Sequence, residues 1–341
     1  MVPPFSFQVQ EPAEGGKPWV VLIHGLGMSH RSWSDPFKES LLGGALSFDY
    51  VLTDLQAPTD LCHFPAAGRF GCSPPLRFSN PRPLSFWESL KREGCGIAGW
   101  SQEKPLGTID HAVGELQSLL KEIPQRNKIV LLGHSRGGLV ARKYLQDRRP
   151  GWDRISAVSL LGVPNHGSRL AKLGPFLARS FSFFGVKDGR HCRSPQNGTN
   201  GAKSFQIRNL AAYGREGGTA ELVPGSAFLR SLAAGEAEEQ RNNIPYCNVV
   251  GTRTDFIRIY LRLSPSGRGR PVISLFDGLE RIIPPLFLPL EIRQGRGDGQ
   301  VSAKSARLSW TEKTHLLPIN HAQFLVSAEV QTIVQNFLKA I

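Results

Sequence analysis

Gly133-His134-Ser135-Arg136-Gly137 is the stretch of this sequence best suited to covalent chemistry. A serine set between two glycines, on a turn from a strand into a helix, has a strained backbone and an exposed Oγ. The glycines are needed because such a turn brings neighbouring chain to where a Cβ would stand. The helix that follows directs its first N–H groups and positive end at the site, which favours negative charge developing on a substrate oxygen. The setting fits: Lys128-Ile-Val-Leu-Leu132 reads as an apolar strand and Gly138 onward as a helix. No other serine in the chain has glycine at both −2 and +2. The competing reading is a glycine-rich turn without chemistry.

Acyl transfer by a serine needs three more parts: two backbone donors for the tetrahedral oxygen, a base, and a group that orients the base. One donor is expected from Arg136, the residue after the serine. The other is expected from Leu26, in the turn His24-Gly25-Leu26-Gly27 that follows the apolar run Trp19-Val-Val-Leu-Ile23. Glycine on both sides lets this backbone come close to a substrate. His24 is expected to hold the turn through a side-chain hydrogen bond, not to move protons. Without chemistry, this is an ordinary strand-to-helix turn.

A nucleophile on this kind of turn takes its acid, and then its base, from later in the chain. Of nine histidines, His315 and His321 come late enough to belong to a final strand. His315 opens the run Thr314-His-Leu-Leu-Pro-Ile319, whereas His321 follows it, where a loop delivers an imidazole at the carboxyl end. His321 is therefore preferred. For the acid, Asp298 lies in Gly297-Asp-Gly-Gln-Val301, and Asp255 follows the strand-like Asn248-Val-Val250. Spacing does not separate them. Asp-Gly is a common turn, and Asp255 could cap a helix.

Apolar runs at 19–23, 50–55, 128–132, 155–161, 244–250 and 314–319 read as strands. Between them lie helical patterns, clearest where Thr108 is expected to cap a helix with Ile109, Val113, Leu116, Leu120 and Ile123 on one face, ended by Pro124. Val326 to Leu338 reads as a closing amphipathic helix. Residues 60–105, rich in Gly, Pro and Ser, read as a long loop region. This alternation predicts a parallel sheet covered on both faces, with ligands bound beyond the carboxyl ends of its strands.

The 341 residues, 40% hydrophobic, suffice for one large domain with insertions. With 41 Lys+Arg against 28 Asp+Glu the net charge is +13. A solvated basic face is the plain reading, with transient contact to an anionic membrane surface as the alternative. No nucleic-acid-binding signature is present, so no nucleic acid is expected. The start of the chain lacks the pattern of a signal peptide, and no apolar run has the ~18 residues of a spanning helix. The five cysteines form no C-x-x-C and no disulfide framework. A cytoplasmic protein is expected.

His24-Gly-Leu-Gly27, Gly133-His-Ser-Arg-Gly-Gly138, Gly162-Val-Pro-Asn-His-Gly-Ser168, Gly297-Asp-Gly-Gln-Val301 and Asn320-His321 together resemble bacterial triacylglycerol lipases and their lipase-like relatives. The motifs occur in the family's order, from about residue 20 to 338. The resemblance implies an α/β-hydrolase fold, a mostly parallel central sheet with helices on both faces and an inserted helical cap. It also implies hydrolysis of a carboxylic ester through Ser135, His321 and Asp298, and so favours Asp298 over Asp255. Gly162 to Ser168 looks like the family's Thr-Pro-x-x-Gly-Ser turn, with Val163 in place of Thr. Cap insertions are expected at about 169–243 and 256–292. Their apolar residues Phe181, Phe183, Phe184, Leu286, Phe287 and Leu288 are expected to line an acyl pocket, to meet lipid, or to pack on one another. Secreted members carry an Asp after the catalytic His that helps to bind calcium. Ala322-Gln323-Phe324 stands there instead, so no metal and no cofactor is expected. An acyltransferase or thioesterase on the same fold, or a non-catalytic lipid- or partner-binding protein, are the alternative readings.

Overall fold

The computed structural model describes residues 6–13, 17–36, 39–41, 46–47, 84–173, 217–254, 257–261, 270–275, 283–311 and 313–341. Eleven strands are found among them: β1 Phe7–Gln10, β2 Trp19–Ile23, β3 Ser40–Leu41, β4 Leu46–Ser47, β5 Gly96–Trp100, β6 Ile129–His134, β7 Ile155–Leu161, β8 Tyr246–Gly251, β9 Ile257–Leu261, β10 Arg270–Leu275 and β11 Lys313–Leu317. Seven make one sheet in the order β1-β5-β2-β6-β7-β8-β11. Only its first pair, β1 with β5, is antiparallel. The other pairs are parallel.

The sheet is buried on both faces, which is why its inner strands are runs of apolar residues with no polar alternation. Trp19, Val21, Ile23, Ile129 and Leu131 pack on one side. They meet helices α3 (Ile109–Glu122) and α4 (Arg136–Gln146) through Val113, Leu116, Leu139 and Val140. Val20, Leu22, Val130 and Leu132 face the other side, against α2 (Phe86–Arg92) and α9 (Ala328–Lys339). Ser85 and Ser327 cap α2 and α9 by accepting the N–H groups of Glu88 and Val330. Thr108 stands at the start of α3 without capping it. Glu221 Oε2 accepts the Ile109 N–H at 2.8 Å instead.

The structure departs from the sequence reading between 84 and 105, where α2 and β5 replace the expected loop. β5 is Gly-Ile-Ala-Gly-Trp, and glycine weakens any strand signal. The glycine has a packing cause: a Cβ on Gly96 would stand 2.6 Å from the buried ring of Trp19. The run at 50–55 lies outside the described residues.

Within 169–243, a 3-10 helix, Arg169–Leu173, and three α-helices are described: α5 Gly217–Glu221, α6 Ala227–Ala234 and α7 Glu236–Arg241. α6 and α7 lie beside α4, and α5 meets the start of α3 through Glu221. Arg142 of α4, fully buried, is clamped by Glu239 and Glu236 of α7 at 2.9 and 3.0 Å. Phe181, Phe183 and Phe184 lie outside the described residues. Within 256–292, β9 and β10 pair antiparallel. Leu286 and Phe287 follow in the single turn Pro285–Phe287 and are 81% and 75% exposed. Leu288, grouped with them in the sequence reading, is buried. No helix among the described residues is long and apolar enough to cross a membrane.

Candidate active site

β6 ends at His134, and α4 starts at Arg136. Ser135 alone makes the reversal, with φ 53° and ψ −129°. This is costly for a residue with a Cβ and persists only where its surroundings enforce it. Here the surroundings are glycines. A Cβ on Gly133 would stand 2.5 Å from Gly138 Cα, and one on Gly137 would stand 2.2 Å from the Ile23 carbonyl oxygen. The Ser135 N–H is tied to the Leu161 carbonyl at 2.9 Å.

The turn after β2 lies against this elbow. Gly25 is so near that an added Cβ would stand 3.2 Å from Ser135 Cβ. The Leu26 N–H has no acceptor among the described residues. His24 is fully buried. Its Nε2 accepts the Gln102 N–H at 3.0 Å, which leaves Nδ1–H to donate to the Gly25 carbonyl at 2.9 Å. Burial foremost, with the Arg136 charge adding to it, lowers its pKa to about 3, so the ring is neutral. The Arg136 side chain is also buried. It donates to Gln102 Oε1 and to the Gly107 carbonyl, each at 2.6 Å.

Asp298 and His321 meet at the carboxyl end of β8. Asp298 is 1% exposed, and its Oδ2 accepts from His321 Nδ1 at 2.7 Å. Its Oδ1 accepts the N–H groups of Gln300 and Val301 at 2.9 and 2.7 Å, so both oxygens are engaged. Gly299, at φ 93°, lets the chain turn back. The backbones are joined as well, His321 N–H to the Asp298 carbonyl at 2.9 Å. A Cβ on Gly251, the last residue of β8, would stand 2.8 Å from Asp298 Cβ. Asp298 thus occupies the strand end after which Asp255 follows in sequence. Asp255 itself lies outside the described residues. Asn320 Oδ1 accepts the N–H groups of Ala322 and Gln323, fixing the turn that carries His321. His315 lies within β11.

His321 comes to the elbow through His134. His134 Nε2–H donates to the His321 carbonyl at 3.0 Å, and the two rings lie 4.9 Å apart. Burial, then the nearby His321 charge, lowers the His134 pKa well below its ordinary value. His321 Nε2 is buried and makes no hydrogen bond among the described residues, so a Ser135–His321 bond is not formed here. Such bonds are often long in a free site and tighten on substrate.

Sequence reasoning missed Gln102 and His134 as members of this cluster. For His134 a signal was present, since it is the variable residue of the serine pentapeptide. Gln102 lay in a stretch taken for loop.

A family model described as the alpha/beta hydrolase family matches residues 20–268. The mature lipase BlEst2 of Bacillus licheniformis superposes with TM-score 0.54 at 16% identity, over 98% of each chain. The propeptide form of that lipase gives 0.53 at 16% identity, over 98% of this chain and 53% of the other. A proline iminopeptidase of Saccharolobus solfataricus is 45% identical over 51 residues, which span 15% of this chain and 16% of that protein.

Proposed function

Because the chain belongs to the alpha/beta hydrolase family, we propose that it is a serine hydrolase of carboxylic esters with Ser135 as nucleophile, His321 as base and Asp298 as acid. One observation carries this reading: the buried 2.7 Å contact of Asp298 with His321, brought beside the strained Ser135 turn. His321 takes the Ser135 proton as Oγ attacks the ester carbonyl. Asp298 holds the Nδ1–H tautomer and stabilises the imidazolium. The N–H groups of Leu26 and Arg136 receive the tetrahedral oxygen. His321 then gives its proton to the leaving alcohol. Water, activated by the same ring, releases the acyl group from Ser135.

The whole chain acts as one domain in this reading, with 169–243 and 256–292 inserted around the site. A small-molecule or lipid ester is the substrate. The basic surface and the exposed Leu286 and Phe287 favour transient contact with an anionic membrane.

The test is hydrolysis of p-nitrophenyl esters from acetyl to palmitoyl, with Ser135→Ala and prolyl p-nitroanilide run in parallel. Ester turnover lost in Ser135→Ala is the expected result. Turnover of the anilide alone would assign amide chemistry. Ester turnover that survives in Ser135→Ala would remove Ser135 as nucleophile.

A further inference from the structure

Between α3 and the 101–107 connection lies a second cluster of ionisable groups that the ester chemistry does not use. Glu115 is 6% exposed, and both its oxygens are held. Trp100 Nε1 donates to Oε2 at 2.8 Å, and the Glu103 N–H donates to Oε1 at 3.0 Å. One turn earlier on the same helix face, His111 puts Nε2 3.0 Å from Glu115 Oε1 and 3.5 Å from Glu103 Oε2. That nitrogen is buried, yet its approach to the carboxylates lacks hydrogen-bond geometry, and it has no hydrogen-bond partner among the described residues. The three ligand atoms all lie within 4.8 Å of one another.

We propose that Glu103, His111 and Glu115 form a zinc site separate from the catalytic centre. Zinc takes imidazole nitrogen and carboxylate oxygen at about 2.0–2.2 Å in a tetrahedron, which sets its ligands about 3.3–3.6 Å apart. The nitrogen–oxygen separations of 3.0 and 3.5 Å lie close to that edge. One neutral imidazole and two carboxylates suit a borderline divalent ion better than a hard one, which prefers oxygen alone. Trp100 and the Glu103 N–H hold the Glu115 carboxylate in place, as outer partners do for a metal ligand. His111 at 36% and Glu103 at 55% exposure keep one side of the cluster at the protein surface.

The ion ties the 101–107 connection to α3. That connection carries Gln102 and Gly107, the acceptors of the Arg136 guanidinium, so the site braces the loop and does no chemistry.

Chelator-treated protein titrated with zinc by calorimetry, and with cobalt by visible absorption, tests the site. One equivalent of zinc is expected, with the ligand-field bands of tetrahedral cobalt and a higher Tm when zinc is present. His111→Ala abolishes all three, and Glu103→Gln weakens zinc at least about tenfold. Glu103 is exposed, so its variant carries the test if His111→Ala fails to fold. No zinc uptake, or one equivalent bound equally by wild type and both variants, overturns the site. The cluster is then an ion-free contact of His111 with two carboxylates. None of these readouts depends on ester hydrolysis.

Discussion

Arg136 Nη1 donates to Gln102 Oε1 at 2.6 Å, inside the protein, and the N–H of the same glutamine donates to His24 Nε2 at 3.0 Å. One residue therefore joins the two turns proposed to supply the oxyanion donors. A hydrogen bond to a charged group contributes about 1.5–3 kcal/mol, and its loss here strands a buried guanidinium. Gln102→Leu is expected to lower Tm and to reduce kcat about tenfold with KM nearly unchanged. Gln102→Glu restores an acceptor for Arg136 and recovers most of the kcat. Steady-state kinetics with melting curves for the two variants checks this. An unaltered kcat in Gln102→Leu would remove the brace from the account.

Asp298 Oδ2 meets His321 Nδ1 at 2.7 Å while its other oxygen is occupied by two backbone N–H groups, and in the proposed triad this contact fixes the imidazole tautomer. Asp298→Asn keeps the shape but no longer favours a proton on Nδ1. A fall in kcat on the order of 10⁴-fold is expected, with the fold intact by circular dichroism. Asp255→Asn is expected to stay within about twofold of wild type. The reverse pattern would move the acid to Asp255.

These assignments were unequally legible. The serine turn was plain in the sequence because its residues are contiguous in one pentapeptide, although Gly137 answers to the Ile23 carbonyl of β2. Asp298 could not be told from Asp255 by spacing, because the chain leaves the end of β8 and returns to it only at 297–299. Only the resemblance carried by Gly297-Asp-Gly-Gln-Val301 favoured Asp298, and the return itself is visible in the Gly251–Asp298 contact. β5 was hidden by glycines whose cause, the ring of Trp19, lies on a different strand. His134 reaches its partner across 187 residues and Gln102 across 78, and such contacts have no local pattern to announce them.

His24 and His134 are both buried neutral, which links stability to pH. In the unfolded chain each takes up a proton near its ordinary pKa of about 6.5. In the folded protein His24 does so only at about 3, and His134 well below its ordinary value. Between those limits the unfolded state binds more protons, so stability is present above pH 6.5 and is lost as pH falls. Each histidine contributes a slope of up to about 1.4 kcal/mol per pH unit. Denaturant unfolding of wild type and His24→Gln between pH 7 and pH 4.5 should show a shallower slope in the variant. Equal slopes would mean that His24 is not held neutral.

Leu286 and Phe287 stand 81% and 75% exposed on a turn that Arg293 holds through the carbonyls of Leu286 and Leu288. The double change to Ser removes apolar surface at no cost to the core. Expected is a severalfold loss in palmitoyl-ester turnover and in binding to anionic vesicles, with acetyl-ester turnover and Tm unchanged. Undiminished turnover and vesicle binding would leave this turn without a role in substrate access.

Gly25 and Gly137 sit on opposite sides of the contact between the turn after β2 and the serine turn, and what each would meet sets two distinct outcomes. A Cβ on Gly137 would meet the Ile23 carbonyl oxygen at 2.2 Å and that of His24 at 2.8 Å. Ile23 is the last residue of β2, held in the sheet, so the start of α4 must withdraw. Overpacking of this kind costs about 1–3 kcal/mol or more, and Gly137→Ala is expected to lose both Tm and activity. A Cβ on Gly25 would meet Met28 Sδ and Ser135 Cβ at 3.2 Å and His134 Nδ1 at 3.3 Å. Those are side-chain atoms, and the methionine can move. Gly25→Ala is therefore expected to fold with a Tm close to wild type. Ser135 is among the atoms that must give way, so kcat should fall at least about tenfold, since small misplacements of reacting groups carry large rate penalties. Melting curves beside kcat for the two alanine variants separate packing from positioning. A Gly25→Ala enzyme with full kcat would show that the turn does not bear on Ser135.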